Sequence, residues 1–125
     1  MLTKVSTTNA PSAIGPYSQA VICGNMVYTS GQIAINPETQ TVTATDITSQ
    51  TEQVMKNLKA ILEAANSSME NAIKTTCFLA NIDDFQAFNE VYAKYFTTKP
   101  ARSCVAVKDL PKKVLVEVEV IAVIK

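Results

Sequence analysis

The C-terminal stretch from Val114 to Ile124 alternates as a strand, yet it is apolar on both faces. Side chains along a strand point to opposite sides with a period of two. Val114, Val116, Val118, Val120, Ala122 and Ile124 therefore share one face, and Leu115, Glu117, Glu119, Ile121 and Val123 share the other. A sheet with one wet face shows apolar and polar residues in clean alternation. This strand does not, so its first face predicts a core. Its second predicts packing on another subunit, with Glu117 and Glu119, roughly 7 Å apart along the strand, turned toward that interface.

Upstream, the chain reads as alternating elements around this strand. Residues 1–8 predict an edge strand, and 9–17, with two prolines and a glycine, an ordered loop. Residues 18–23 and 26–30 predict a hairpin across Gly24-Asn25. Ser30-Gly31-Gln32 interrupts the second strand, Ile33 to Ile35 extends or follows it, and a polar loop runs from Asn36-Pro37 to about Thr45. Val54, Leu58, Ile61, Leu62 and Ala65 recur at helical spacing, with Ser49 and Glu52 spaced as a capping box and Asn66-Ser67-Ser68 at the end. Ile73 to Leu79 alternates as a strand. A second helix spans about 83–96, with Phe85, Phe88, Tyr92, Tyr95 and Phe96 as an apolar stripe read as core. Strands at about 101–107 and 114–124 complete the order βββαβαββ: a single α+β domain over residues 1–125, with both helices on one face of a sheet.

Composition removes several chemistries. The chain has no histidine, which excludes Ser-His-Asp and Cys-His arrangements and the commonest metal ligand. Eleven basic and eleven acidic residues cancel, so no strong field draws in nucleic acid or an anionic membrane. Cys23, Cys77 and Cys104 are odd in number and widely spaced, which fits a reducing compartment rather than a disulfide framework. With no apolar leader at Met1-Leu2-Thr3-Lys4 and no run of membrane-spanning length, the expectation is a cytoplasmic, membrane-free protein.

Charges inside strand-like sequence mark the candidate site. Arg102 shares a strand face with Cys104. A guanidinium can hold a carboxylate through two parallel hydrogen bonds, or it can pair with a glutamate across an interface. Glu117 and Glu119 can form an intersubunit ion-pair network or line a pocket. Cys104 reads as a small buried hydrophobe, since no histidine is present to activate it as a nucleophile. Ser30-Gly31 reads as a bulge, or as backbone N–H groups approaching a ligand.

Four segments, taken together, carry a resemblance: Ala10-Pro11-Ser12-Ala13-Ile14-Gly15-Pro16-Tyr17, Thr29-Ser30-Gly31-Gln32-Ile33, Pro100-Ala101-Arg102-Ser103-Cys104 and Val116-Glu117-Val118-Glu119. In that order they closely resemble the RidA/YjgF family of reactive-intermediate imine deaminases, over nearly the whole chain. The resemblance implies a chorismate-mutase-like fold and a homotrimer with sites in the clefts between subunits. It also implies hydrolysis of 2-imino acids, such as 2-iminobutanoate and 2-iminopropanoate released by pyridoxal-phosphate dehydratases, to 2-keto acids and ammonia. No metal or organic cofactor is implied. Arg102 would grip the substrate carboxylate and Glu117 would hold the attacking water beside it. Gly31 and Cys104 would offer backbone groups, and Tyr17, Ser30 and Asn89 would line the pocket. Some relatives are described as endoribonucleases or translation inhibitors, and a non-enzymatic carboxylate-binding module would keep the same arginine. Zero net charge and the lack of a Lys/Arg cluster count against the nucleic-acid role.

Overall fold

The alternation of the last strand organises the sheet in the computed structural model, which describes Met1–Lys125. β1 (Leu2–Val5), β2 (Ala20–Cys23) and β3 (Met26–Thr29) form an antiparallel meander. Gly24 takes φ 61°, the left-handed conformation that a two-residue hairpin turn requires. β4 (Ile35–Asn36) and β5 (Thr41–Val42) form a separate small hairpin. Then come α1 (Ile47–Ala64), β6 (Ala72–Leu79), α2 (Phe85–Tyr95), β7 (Ala101–Ala106) and β8 (Val116–Val123). The main sheet runs β1-β2-β3-β8-β6-β7, and β6 and β7 are its one parallel pair. This is the expected α+β architecture with a mixed sheet. No helix is long and apolar enough to cross a membrane.

The first face of β8 is the core its sequence predicts, and the second is left uncovered within the chain. Val116, Val118, Val120 and Ala122 are buried against α1, whose Val54, Met55, Leu58, Ile61 and Leu62 are fully buried. Glu117, Ile121 and Val123 are only half-buried, and Glu119 is exposed, on the face no helix covers. Ladder partners place Tyr28 of β3 and Phe78 of β6 on that same bare face. It remains largely apolar and unpartnered within the chain.

Three local readings need correction. The polar stretch after Asn36 holds the β4–β5 hairpin, because Asn36 Oδ1 accepts from Glu38 N–H at 2.8 Å and Gln40 adopts φ 58° to turn the chain. α1 starts a turn earlier than the Ser49/Glu52 spacing suggests. Asp46 is the N-cap and accepts from Ser49 N–H at 2.9 Å, while Glu52 instead accepts from the Tyr95 hydroxyl at 2.7 Å. Aspartate caps as well as serine, and it stands nearer the first apolar turn. The aromatic stripe of α2 is also not all core. Phe88 and Phe96 are buried, but Phe85 is 37% exposed at the site described next.

Candidate functional site

The first of two residue clusters is built where β3 stops. Tyr28 pairs with Ile121, but Gln32 pairs with Val118, so β3 carries one more residue than β8 between these two points. That is a one-residue bulge, and Ser30-Gly31 forms it. Ser30 is tied down by N–H donation to Gln19 O at 2.9 Å and by Oγ donation to Ser18 O at 2.6 Å. Gln32 exchanges both backbone bonds with Val118, at 2.8 and 3.1 Å. Gly31 lies flat against the Glu117 side chain: a Cβ added there would sit 2.8 Å from Glu117 Cδ. The Gly31 N–H meets no acceptor within the chain.

Glu117, Gly31, Ser30 and Tyr17 all line one cavity of about 530 Å³. Its walls are loops, and buried carboxamides hold them. Gln19, 3% exposed, donates to Thr7 O at 3.0 Å and Pro11 O at 2.7 Å. Asn57, fully buried, donates to Ile33 O at 3.2 Å and Ile35 O at 2.9 Å. Gln50 accepts from Leu115 N–H at 2.8 Å, two residues before Glu117. Sequence reasoning missed these residues. Their signal was polar Gln50 and Asn57 at apolar positions of α1, where a buried amide must find partners.

Glu117 is half-buried and has neither a hydrogen bond nor a cation partner; the one ion pair in the chain joins Lys94 to Glu52 at 3.9 Å. Burial, with a smaller contribution from the Glu119 charge, pushes its carboxyl above the ordinary 4.5.

The second cluster lies at the β7 edge, against α2. Arg102 donates from Nη1 to Asn89 Oδ1 at 2.7 Å, and its guanidinium carbon stands 4.8 Å from the Tyr92 ring centroid and 5.4 Å from that of Phe85. No carboxylate pairs with it. Asn89, Tyr92, Lys99 and Arg102 line a second cavity of about 350 Å³. Cys104, two residues on, is the ladder partner of Cys77. Burial raises both thiols, Cys77 to about 12, so neither is poised as a nucleophile. Val107 N–H donates to Leu79 O at 2.9 Å. The alternation of a parallel ladder then turns the backbone groups of Ser103 and Val105 toward β6, and those of Arg102 and Cys104 off the open edge.

The chain alone does not bring the two clusters together. Arg102 pairs with Thr75, a buried residue of the helix-covered face, whereas Glu117 pairs with Phe78 on the bare face. They are separated by two strand spacings across and three residues along, each about 10 Å, and by the sheet itself. Of the residues expected at one site, Tyr17, Ser30, Gly31 and Glu117 lie together in the first cluster, and Asn89, Arg102 and Cys104 in the second.

The family model for endoribonuclease L-PSP matches residues 7–124. The chain is 52% identical over 122 residues to a putative regulator AldR of Lactococcus lactis, covering 97% of both chains. It is 50% identical over 123 residues to a 2-iminobutanoate/2-iminopropanoate deaminase of Escherichia coli, covering 95% of both. Among solved structures, a putative endoribonuclease L-PSP from Entamoeba histolytica superposes with a TM-score of 0.97 at 52% identity, covering 99% of this chain and 100% of that one. E. coli TdcF with bound serine superposes at 0.93 and 44% identity, covering 98% and 99%.

Proposed function

The chain belongs to the endoribonuclease L-PSP family, and we propose that within it this protein hydrolyses 2-imino acids to 2-keto acids and ammonia at a site completed by two copies of the chain. The observation that carries this reading is the Arg102 guanidinium, held by Asn89, Tyr92 and Phe85 and paired with no carboxylate. A fixed guanidinium with free N–H groups is shaped for a substrate carboxylate. The bare, largely apolar face that bears Glu117 is the surface a second copy would cover, which brings that carboxylate to the neighbour's Arg102 edge.

An iminium carbon is already a strong electrophile, so positioning does most of the work. Arg102 fixes the substrate carboxylate, and the backbone at Gly31 and Cys104 contacts the substrate from either side. Glu117 orients a water toward C2 and accepts its proton as the C–O bond forms. Returning that proton to the nitrogen lets ammonia leave; as the C=O bond closes, Glu117 takes the remaining hydroxyl proton and passes it to the departing ammonia, so iminium plus water balances keto acid plus ammonium. A carboxylate suffices here, so the lack of histidine is no obstacle. The names of the deaminase relative and of serine-bound TdcF agree with a small amino-acid-derived ligand. A nuclease reading lacks a histidine and a basic cluster for phosphates.

The test is release of keto acid and ammonia from a threonine or serine dehydratase reaction, with and without this protein. Faster release with the protein is expected; an unchanged rate contradicts the reading.

The pH dependence has a definite sign. Glu117 must be ionised to hold water as a base, and its carboxyl lies above 4.5 in the fold, so the acid limb of kcat/KM should lie above that value. Glu119→Gln removes the like charge and should move the limb downward, though only in part, because burial is the larger cause. An unmoved limb in that variant assigns the titration to another group. The same shift makes the folded chain retain a proton that the unfolded chain has lost. Glu117 therefore lowers stability as pH rises from 4.5 through its folded value.

A further inference from the structure

We propose that Tyr92 is a positioning residue for Arg102: its ring, locked in place through its hydroxyl, sets the direction in which the guanidinium is presented. This rests on the reading of Arg102 as the carboxylate clamp. The side chain of an arginine has many rotamers, and a clamp that must be ordered by its ligand binds more weakly than one already in place. Here the guanidinium is constrained on three sides: by the Tyr92 ring at 4.8 Å, the Phe85 ring at 5.4 Å and the Asn89 Oδ1 acceptor at 2.7 Å. Only one of its five N–H donors is engaged by Asn89, which leaves the others to a ligand.

The ring itself is not free to move. The Tyr92 hydroxyl and Thr75 Oγ1 are 2.7 Å apart in the buried interior, and Phe88 and Phe96 pack the ring at centroid distances of 5.6 and 4.6 Å. Thr75 is also the β6 ladder partner of Arg102. The register that places Arg102 on β7 thus also places the anchor of the ring beneath its side chain. A closed circuit runs from Arg102 through the β7–β6 ladder to its neighbour Thr75, to the Tyr92 hydroxyl, and through the ring back to the guanidinium. Tyr92 is only 8% exposed and its hydroxyl is occupied, so it acts through Arg102 rather than on substrate.

Tyr92→Leu removes the ring. KM for the imino acid should rise roughly 3- to 30-fold with kcat little changed, the range expected for a lost cation–π contact. Tyr92→Phe, which keeps the ring, should recover most of this. In parallel, the Arg102 side-chain protons should lose their upfield ring-current shift in the NMR spectrum of Tyr92→Leu. Should that variant fail to fold, Tyr92→Phe and Thr75→Val carry the test. Each breaks the same hydroxyl bond, so both should raise KM by the same small factor, and the double variant should be no worse than either. A fall in kcat at unchanged KM, unmoved Arg102 resonances, or additive effects of Tyr92→Phe and Thr75→Val would overturn the proposal. If the wild-type protein neither hydrolyses imines nor binds 2-oxobutanoate, the functional reading fails instead, while the resonance shift still reports whether Tyr92 holds Arg102.

Discussion

Arg102→Ala is expected to eliminate imine hydrolysis and leave the assembled protein folded. A lost charge-assisted contact to a carboxylate is worth about 2–5 kcal/mol, a ~30- to several-thousand-fold loss in kcat/KM. Stability should change little, because Arg102 forms no ion pair in the chain and its one side-chain hydrogen-bond partner, Asn89, is only half-buried. Arg102→Lys should be badly impaired too: an ammonium cannot reproduce the planar two-point grip, nor lie as well between the Tyr92 and Phe85 rings. The competing role is an ion pair with a neighbour's Glu117 or Glu119. Removing the arginine would then strand a buried carboxylate and destabilise the assembly by about 3–5 kcal/mol. Measuring kcat/KM and subunit dissociation on one preparation separates the two. A dissociated protein, or a fully active one, rejects the clamp.

Gly31→Ala should be nearly as damaging, for a different reason. The new Cβ would fall 2.8 Å from Glu117 Cδ and 3.1 Å from Cγ. The atoms it meets are the end of a flexible side chain, so the fold yields by swinging the carboxylate away rather than by breaking β3 or β8. Displacing a catalytic group by about 1 Å costs on the order of 10²-fold in rate. The expected outcome is a melting temperature close to wild type with kcat reduced about a hundred-fold. If Gly31→Ala keeps wild-type kcat, the position of Glu117 does not govern the reaction.

Much of the fold was legible because its period was. β8 declares both its faces in the alternation of Val116, Val118 and Val120 with Glu117, Ile121 and Val123, and α1 declares its buried side through Val54, Leu58, Ile61 and Leu62. Local chemistry that competes at short range was less legible. The Ser49/Glu52 spacing pointed to a cap at Ser49, whereas Asp46, three residues earlier, takes that place. The role of Phe85 was hidden for a related reason: a helical aromatic stripe signals burial, and nothing in α2 itself shows that its first member ends beside Arg102. Gly31 was legible as a bulge, but its contact with Glu117 depends on the one-residue offset between β3 and β8, which no pattern in either strand encodes. The separation of Arg102 from Glu117 was likewise unreadable, because the parity of β7 against β6 is fixed by pairing rather than by the residues of β7.

That separation makes mixing of two inactive variants the most direct measurement. Arg102→Ala and Glu117→Gln proteins, each without activity alone, are combined in equal amounts under conditions that allow subunits to exchange, and imine hydrolysis is followed. If each site takes its guanidinium from one copy and its carboxylate from the next, random exchange in a closed ring restores about one site in four, whatever the number of subunits. The account predicts recovery approaching a quarter of wild-type activity. A fully exchanged mixture that stays inactive would contradict a site shared between copies.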